Sequence, residues 1–344
     1  MNPMPTSTTV EMLTPIWQRV LQLSSVELED NFFDLGGDST LALQLFNEIA
    51  HSCGRELPPV TIYVAPTIAS LAAVLEQPAE LRLPTLVSLK NGTAEPPLFI
   101  THGLGGSVID FFQVVKHIQT PHSIQGMQAR GIDGTEEPFD RIEDMAQFYL
   151  DAIRRVQPHG PYLLAGYSLG GLVTLEMAQR LTGNGENVAL LAMLDSYPDI
   201  RYLSLAQRAQ LVSRLATRRA TTAMKLPVGE ALSLIVRPSR RRATAPKVSY
   251  QPPVDVSISP AMQRARECAY IALTRYKPRF YPGTIKFVRA EIPTDFPADP
   301  AAVWAHLAKK LEVETVPGDH LGIMATHYEK LANAISRYVE EALQ

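Results

Sequence analysis

Apolar residues change their spacing partway along this 344-residue chain. Between Val10 and about Gln77 they recur at helical intervals. Met12, Ile16, Val20 and Leu21 share one face of a first helix. Leu41, Leu45, Phe46 and Ile49 share one face of a second, which follows the loop Asn31–Ser39. A third short segment lies around Ile62, and Thr67 caps a last helix through Ile68, Leu71 and Leu75. Four short helices in so few residues predict a small bundle. The ten residues ahead of it read as a disordered leader. Periodicity then fades through Pro78, Pro84, Pro96 and Pro97, a linker that becomes an edge strand near Leu86–Leu89.

From Pro97 the period alternates between strand and helix, which predicts a doubly wound, mostly parallel sheet. Expected strands lie at 98–100, 124–128, 163–167, 188–194, 284–288 and 311–316, with helices at 108–117, 142–156 and 325–342. One stretch stands out. Leu163–Tyr167 is an apolar strand, Gly166-Tyr167-Ser168-Leu169-Gly170 a tight turn, and the apolar spacing of Leu172 to Leu181 an amphipathic helix. Such a strand–turn–helix holds a serine on a strained corner, with Oγ exposed at the carboxyl end of the sheet. Gly166 and Gly170 are required there because a side chain at either place would meet neighbouring backbone. The helix behind Ser168 aims its positive end, and the Leu169 N–H, at any anion forming on the serine's substrate.

Two resemblances follow from longer motifs. Asp30-Asn31-Phe32-Phe33-Asp34-Leu35-Gly36-Gly37-Asp38-Ser39 resembles the attachment motif of acyl and peptidyl carrier domains, and the likeness covers residues 10–78. It implies that Ser39 carries 4′-phosphopantetheine. A serine opening a helix after a glycine-rich loop suits a phosphodiester, although a serine there also serves as a simple helix cap. Residues 97–344, after a linker at 79–96, resemble an α/β-hydrolase domain, and within that fold the thioesterases that close nonribosomal peptide and polyketide synthetases. The fold implied is a small four-helix carrier bundle followed by a mostly parallel sheet with helices on both faces. The insertion at about 198–276, helical at 203–216, 230–236 and 261–276, resembles a lid.

That likeness assigns roles. A serine hydroxyl needs a base, and His320 in Gly318-Asp319-His320 follows the last strand, as chain order in the fold requires. His327 is expected inside the closing helix, and His51, His117, His122, His159 and His306 in solvated or structural positions. Asp195, ending the strand after the elbow helix, is the favoured acid, with Asp295 the alternative; Asp319 is expected to shape its loop. Leu169 and Leu104 are the expected backbone oxyanion donors, and His102 a residue that shapes the Leu104 loop. The implied activity is release of an acyl or peptidyl chain by hydrolysis, cyclisation or condensation. Alternatives are an editing thioesterase acting on other carriers and a non-catalytic docking platform. Implied partners are a phosphopantetheinyl transferase, an upstream synthetase or acyl-activating domain and the thioester substrate. Starting at a methionine with no activating domain, the chain is expected to be either loaded in trans or the tail of a synthetase.

Composition narrows this further. No apolar run approaches the roughly 20 residues needed to cross a bilayer, and the first ten residues lack a signal-peptide core, so a cytoplasmic protein is expected. Cys53 and Cys268 are far apart, without metal-like spacing, so no metal site is expected. The net charge of -3 conceals an asymmetry. Residues 201–250 hold eleven Lys/Arg, including Arg240-Arg241-Arg242, against the single acid Glu230, whereas residues 10–80 hold ten acids against Arg19 and Arg55. The acidic carrier is therefore expected to dock near the basic lid. No aromatic platform accompanies the arginines, which argues against a nucleic-acid partner.

Overall fold

A computed structural model describes residues 7–77, 82–223, 259–293, 297 and 299–344. Four helices open the chain: α1 (Ser7–Leu21), α2 (Ser39–Cys53), α3 (Thr61–Val64) and α4 (Ile68–Glu76). Helix α1 begins at Ser7, so residues 7–9 of the expected leader belong to the helix. Its stripe is Leu13, Ile16, Trp17 and Val20, all nearly inaccessible. They meet Leu45, Phe46 and Ile49 of α2 and Ile68 and Leu71 of α4 in one core. Phe32 completes that core from the loop, its ring edge-on to Trp17 at 5.4 Å. Helix α4 starts on a reciprocal cap between Thr67 and Ser70.

The rest of the chain is built on seven strands: β1 (Leu86–Lys90), β2 (Ala94–Thr101), β3 (His122–Met127), β4 (Tyr162–Tyr167), β5 (Val188–Leu194), β6 (Tyr281–Ala290) and β7 (Ala308–Val316). Their spatial order is β1-β3-β2-β4-β5-β6-β7, with β1 antiparallel to β3 and every other pair parallel. A 3₁₀ turn (Val108–Phe111) leads into α5 (Phe112–His117), then α6 (Ile142–Val156), α7 (Leu169–Gly183), α8 (Leu205–Ala223), α9 (Pro260–Arg275), α10 (Pro300–Trp304), α11 (Gly322–Ala325) and α12 (Tyr328–Ala342). Strand period 2 sorts the central side chains to two faces. Phe99, Leu164, Leu191, Met193 and Phe287 meet α6 and α7. Leu98, Ile100, Leu163, Ala165, Leu190 and Ala192 meet α5 and α12 on the other. Parallel strands buried on both faces carry near-continuous apolar runs, as β4 and β5 do.

Three expectations are corrected. The helix expected at 108–117 begins as a 3₁₀ turn, with the Ser107 hydroxyl accepting from the Ile109 N–H. Helix α7 is buried all round its first ten residues rather than amphipathic. Its one carboxylate there, Glu176, tolerates this because Arg180 (2.9 Å), Arg279 (3.1 Å) and the Tyr276 hydroxyl (3.2 Å) donate to it. The closing helix breaks at His327, so this residue caps α12 instead of lying inside a helix. Thr326 and His327 both donate to the Gly322 carbonyl, closing α11 as a separate turn.

Removing the Phe32 ring leaves a cavity beside Trp17 and unseats the loop that leads to Ser39. Phe32→Ala is expected to cost roughly 3–5 kcal/mol of bundle stability, read as a fall in the denaturant midpoint.

Candidate active site

Strand register assembles the site. Thr101 pairs with Gly166, Tyr167 with Leu194, Leu194 with Val288 and Ala290 with Val316. The carboxyl ends of β2, β4, β5 and β7 therefore lie along one edge, where the loops that follow converge. At that edge Ser168 takes φ 55° and ψ −118°, a conformation costing roughly 1–3 kcal/mol for a residue with a Cβ. Its N–H donates to Leu194 O at 2.9 Å, tying the corner to β5. The glycines follow from contact distances. A Cβ on Gly166 would stand 2.2 Å from Gly170 O, and one on Gly170 would stand 2.4 Å from His102 O.

His320 reaches Ser168 from the loop after β7. Gly318 turns that loop at φ +94°, with the His327 ring packed so close that a Cβ would meet it at 2.7 Å. Asp319 accepts from the Gly322 N–H at 2.8 Å and shapes the turn rather than facing the serine. The His320 Nε2 lies 3.1 Å from Ser168 Oγ, and Nδ1 lies 2.8 Å from Asp195 Oδ2. An ionised carboxylate can only accept, so Nδ1 carries the proton and Nε2 is left to accept from the serine hydroxyl. Asp195 is 4% exposed and His320 18%. The other carboxylate oxygen, Oδ1, accepts from the Ala290 N–H at 3.1 Å, and the Asp195 N–H donates to Val288 O at 2.7 Å. Asp195 too stands at positive φ, 48°. Asp295 lies outside the described residues.

Two tyrosines were not anticipated. Tyr167 stacks on the His320 ring (centroids 4.8 Å, planes 20° apart), and its hydroxyl donates to His320 O at 2.6 Å. Its place next to Ser168 was the available signal. Tyr149, on α6, donates to His102 Nε2 at 2.7 Å, while Nδ1 faces Gly103 O at 2.6 Å. No local spacing marks a partner 47 residues away. Burial lowers the His102 pKa to about 4, against a smaller opposing pull from the Gly103 carbonyl. His102 is thus a neutral brace for the loop that carries Leu104, a loop closed by the Gly106 N–H on Gly103 O at 3.2 Å. A Cβ on Gly103 would meet the Tyr167 ring at 2.9 Å, so this loop lies directly against the elbow. Leu169 opens α7.

Ser39 is the first residue of the 15-residue helix α2, and the capping role falls to Asp38, whose carboxylate accepts from the Leu41 N–H. The loop before it is tight. Gly36 has φ +92°, the Gly37 N–H donates to Phe32 O at 2.9 Å, and a Cβ on Gly37 would stand 2.3 Å from the Phe32 ring. A phosphodiester on Ser39 fits this setting, since the helix start leaves unpaired N–H groups and a positive dipole end beside it. Of the insertion expected to form a lid, α8 and α9 are described, and α9 is tied down by Arg264 to Glu137 (3.0 Å) and Arg275 to Asp140. Residues 230–236 and Arg240–Arg242 lie outside the described residues. Among the described residues no helix is long and apolar enough to cross a membrane, and no cluster of His, Cys, Asp and Glu stands ready for a metal.

Comparison with known proteins adds the following. A family model described as the thioesterase domain matches residues 96–339, and one described as the phosphopantetheine attachment site matches residues 12–75. A dimodular nonribosomal peptide synthase of Bacillus subtilis is 44% identical over 190 residues, 55% of this chain and 8% of that protein. Malpibaldin synthetase of Mortierella alpina is 39% identical over 54% of this chain and 3% of its own length. The chain thus spans a small part of these relatives. A four-domain nonribosomal peptide synthetase, solved with AMP and glycine, superposes at a TM-score of 0.59 and 24% identity, covering 98% of this chain and 26% of that one. The type II thioesterase BorB superposes at 0.53 and 17% identity, covering 74% and 97%.

His102 sets a pH dependence. A folded pKa of about 4, below the ordinary imidazole value of 6.5, means that folding favours the neutral ring. That stability is full above the unfolded pKa and is lost as pH falls towards 4, by about 3 kcal/mol at most. His102→Gln is expected to flatten the urea midpoint between pH 6.5 and 4 relative to wild type.

Proposed function

The chain belongs to the thioesterase domain family, with a phosphopantetheine attachment domain ahead of the hydrolase, and on that premise we propose that it releases an acyl or peptidyl chain from its own carrier through an acyl-enzyme on Ser168. The observation that carries this reading is His320 bridging Asp195 and Ser168 at 2.8 and 3.1 Å. Ser39, at the α2 N-terminus, is the residue proposed to hold phosphopantetheine, with the helix start favouring its phosphodiester. The bound group supplies a terminal thiol that holds the acyl chain as a thioester.

The residues of the hydrolase domain then divide the work. Ser168 Oγ attacks the thioester carbonyl as its proton passes to His320 Nε2. Asp195 holds the Nδ1–H tautomer and, being nearly inaccessible, stabilises the imidazolium that forms. The N–H groups of Leu169 and Leu104 are the proposed donors to the oxyanion. Collapse expels the thiolate, which takes the proton back from His320 and leaves an ester on Ser168. In the second half His320 draws a proton from the incoming nucleophile. Water gives hydrolysis, a hydroxyl or amine of the same acyl chain gives cyclisation, and a carbon nucleophile from a second acyl unit gives condensation. The lid helices α8 and α9 are positioned to select among these by excluding water.

Upstream synthetase modules and a phosphopantetheinyl transferase are the proposed partners, in keeping with the synthetases it resembles. Editing of other carriers is the weaker reading, because a fused attachment domain places a substrate in the same chain.

Mixing the protein with a small soluble acyl thioester is expected to release about one equivalent of thiol in a burst, with the acyl group recovered on a Ser168 peptide. Ser168→Ala should show neither. Asp195→Asn, which reverses the His320 tautomer, should lower kcat by about ten-thousandfold. A burst that survives in Ser168→Ala would contradict the assignment.

A further inference from the structure

The paired phenylalanines of the attachment loop point in opposite directions. Phe32 is fully buried in the carrier core and holds Gly37 through its carbonyl. Phe33 turns outward and packs between two rings, Tyr63 of α3 at 4.9 Å and Phe112 of α5 at 4.9 Å, stacked on the latter with planes 22° apart. Phe112 belongs to the hydrolase domain. It has a mirror-image neighbour, since Phe111 points inward and meets Tyr167 edge-on at 6.5 Å. Tyr167 in turn stacks on His320. The same 3₁₀ turn supplies Ile109, only 5% exposed, to the apolar core of the carrier. Asp110 lies close enough to Tyr63 that its carboxylate adds to burial in raising the phenol pKa.

Resting on the function proposed above, we propose that the face formed by Ile109 and Phe112 is the docking surface for the chain's own attachment loop, and that Phe33 is the residue that engages it. The placement suits delivery. Phe33 stands six positions before Ser39 in one tight loop, so fixing Phe33 fixes where Ser39 starts its reach. The receiving turn begins directly after the loop Gly103–Gly106, which lies against the Ser168 elbow. Val60, at the start of α3, is fully buried in the apolar core that Leu98, Ile100 and Val108 form in the hydrolase, and Tyr63 packs against the same core, so the rings of Phe33 and Phe112 extend an apolar contact that α3 anchors. Within this division of labour, the first phenylalanine of the motif folds the loop and the second docks it.

The test uses the full chain and three readouts. Phe112→Ala should raise amide exchange in the 30–39 loop of the unloaded protein and slow acyl transfer from Ser39 to Ser168 about tenfold. Turnover of a soluble acyl thioester should stay at the wild-type level, which also reports that the hydrolase domain is folded. Phe112→Tyr, which keeps the ring, should restore both losses. Unchanged exchange and unchanged transfer in Phe112→Ala would overturn the docking role, and so would faster transfer, which would mark the contact as a resting pose. Failure of the function proposed for Ser168 would show differently, as no turnover of the soluble thioester by wild type, and the exchange readout would still decide the docking surface.

Discussion

The hydrogen bond between His320 Nδ1 and Asp195 Oδ2 is the contact on which the rest of the site depends. It joins the ends of two strands that are not neighbours in the sheet, β5 and β7, with β6 between them. It also settles the tautomer that leaves Nε2 facing Ser168. Everything nearby keeps that geometry available. Ala290, at the end of β6, donates to the second oxygen of Asp195, so the carboxyl group is held in one orientation where little water reaches it. Tyr167 grips the histidine from both its ring and its backbone carbonyl. Ser168 and Asp195 both stand at positive φ, and this local strain is carried by the surrounding parallel sheet.

Much of this was legible in the sequence for identifiable reasons. The runs at Leu163–Tyr167 and Val188–Leu194 are apolar because their strands are buried on both faces, and length and flanking glycines mark them as strands. Ser168 could be found because its corner needs glycines at 166 and 170, and those leave a fixed spacing. Ser39 stood out for a similar reason, in that a tight loop over Phe32 requires Gly37. What escaped notice lies across long separations. Tyr149 braces His102 from a helix elsewhere in the chain, and nothing in its surroundings announces that partner. Helix α7 looked amphipathic because Glu176 counts as polar, whereas the structure buries it among Arg180, Arg279 and Tyr276. The break at His327 depends on two N–H groups sharing one carbonyl, a detail that periodicity does not encode. The docking expected near Arg240–Arg242 falls on residues outside those described, and the described contact between carrier and hydrolase is apolar, made by Val60, Ile109 and the rings of Phe33, Tyr63 and Phe112.

The loop before Ser39 takes its shape from Phe32 and Gly37, and the Ser168 corner takes its shape from Gly166 and Gly170. Both serines sit at the start of a 15-residue helix. At both places the helix start offers a positive dipole end, which suits an anion.

Intact-protein mass tests most directly whether acyl transfer occurs within one chain. Ser39 is loaded with an acyl-pantetheine in wild type and in Ser168→Ala, and the mass of each is followed over time. The expected result is that the acyl mass persists in Ser168→Ala and disappears from wild type, with the mass of the released product identifying the attacking nucleophile. Equal retention by both proteins would contradict a carrier that feeds its own hydrolase.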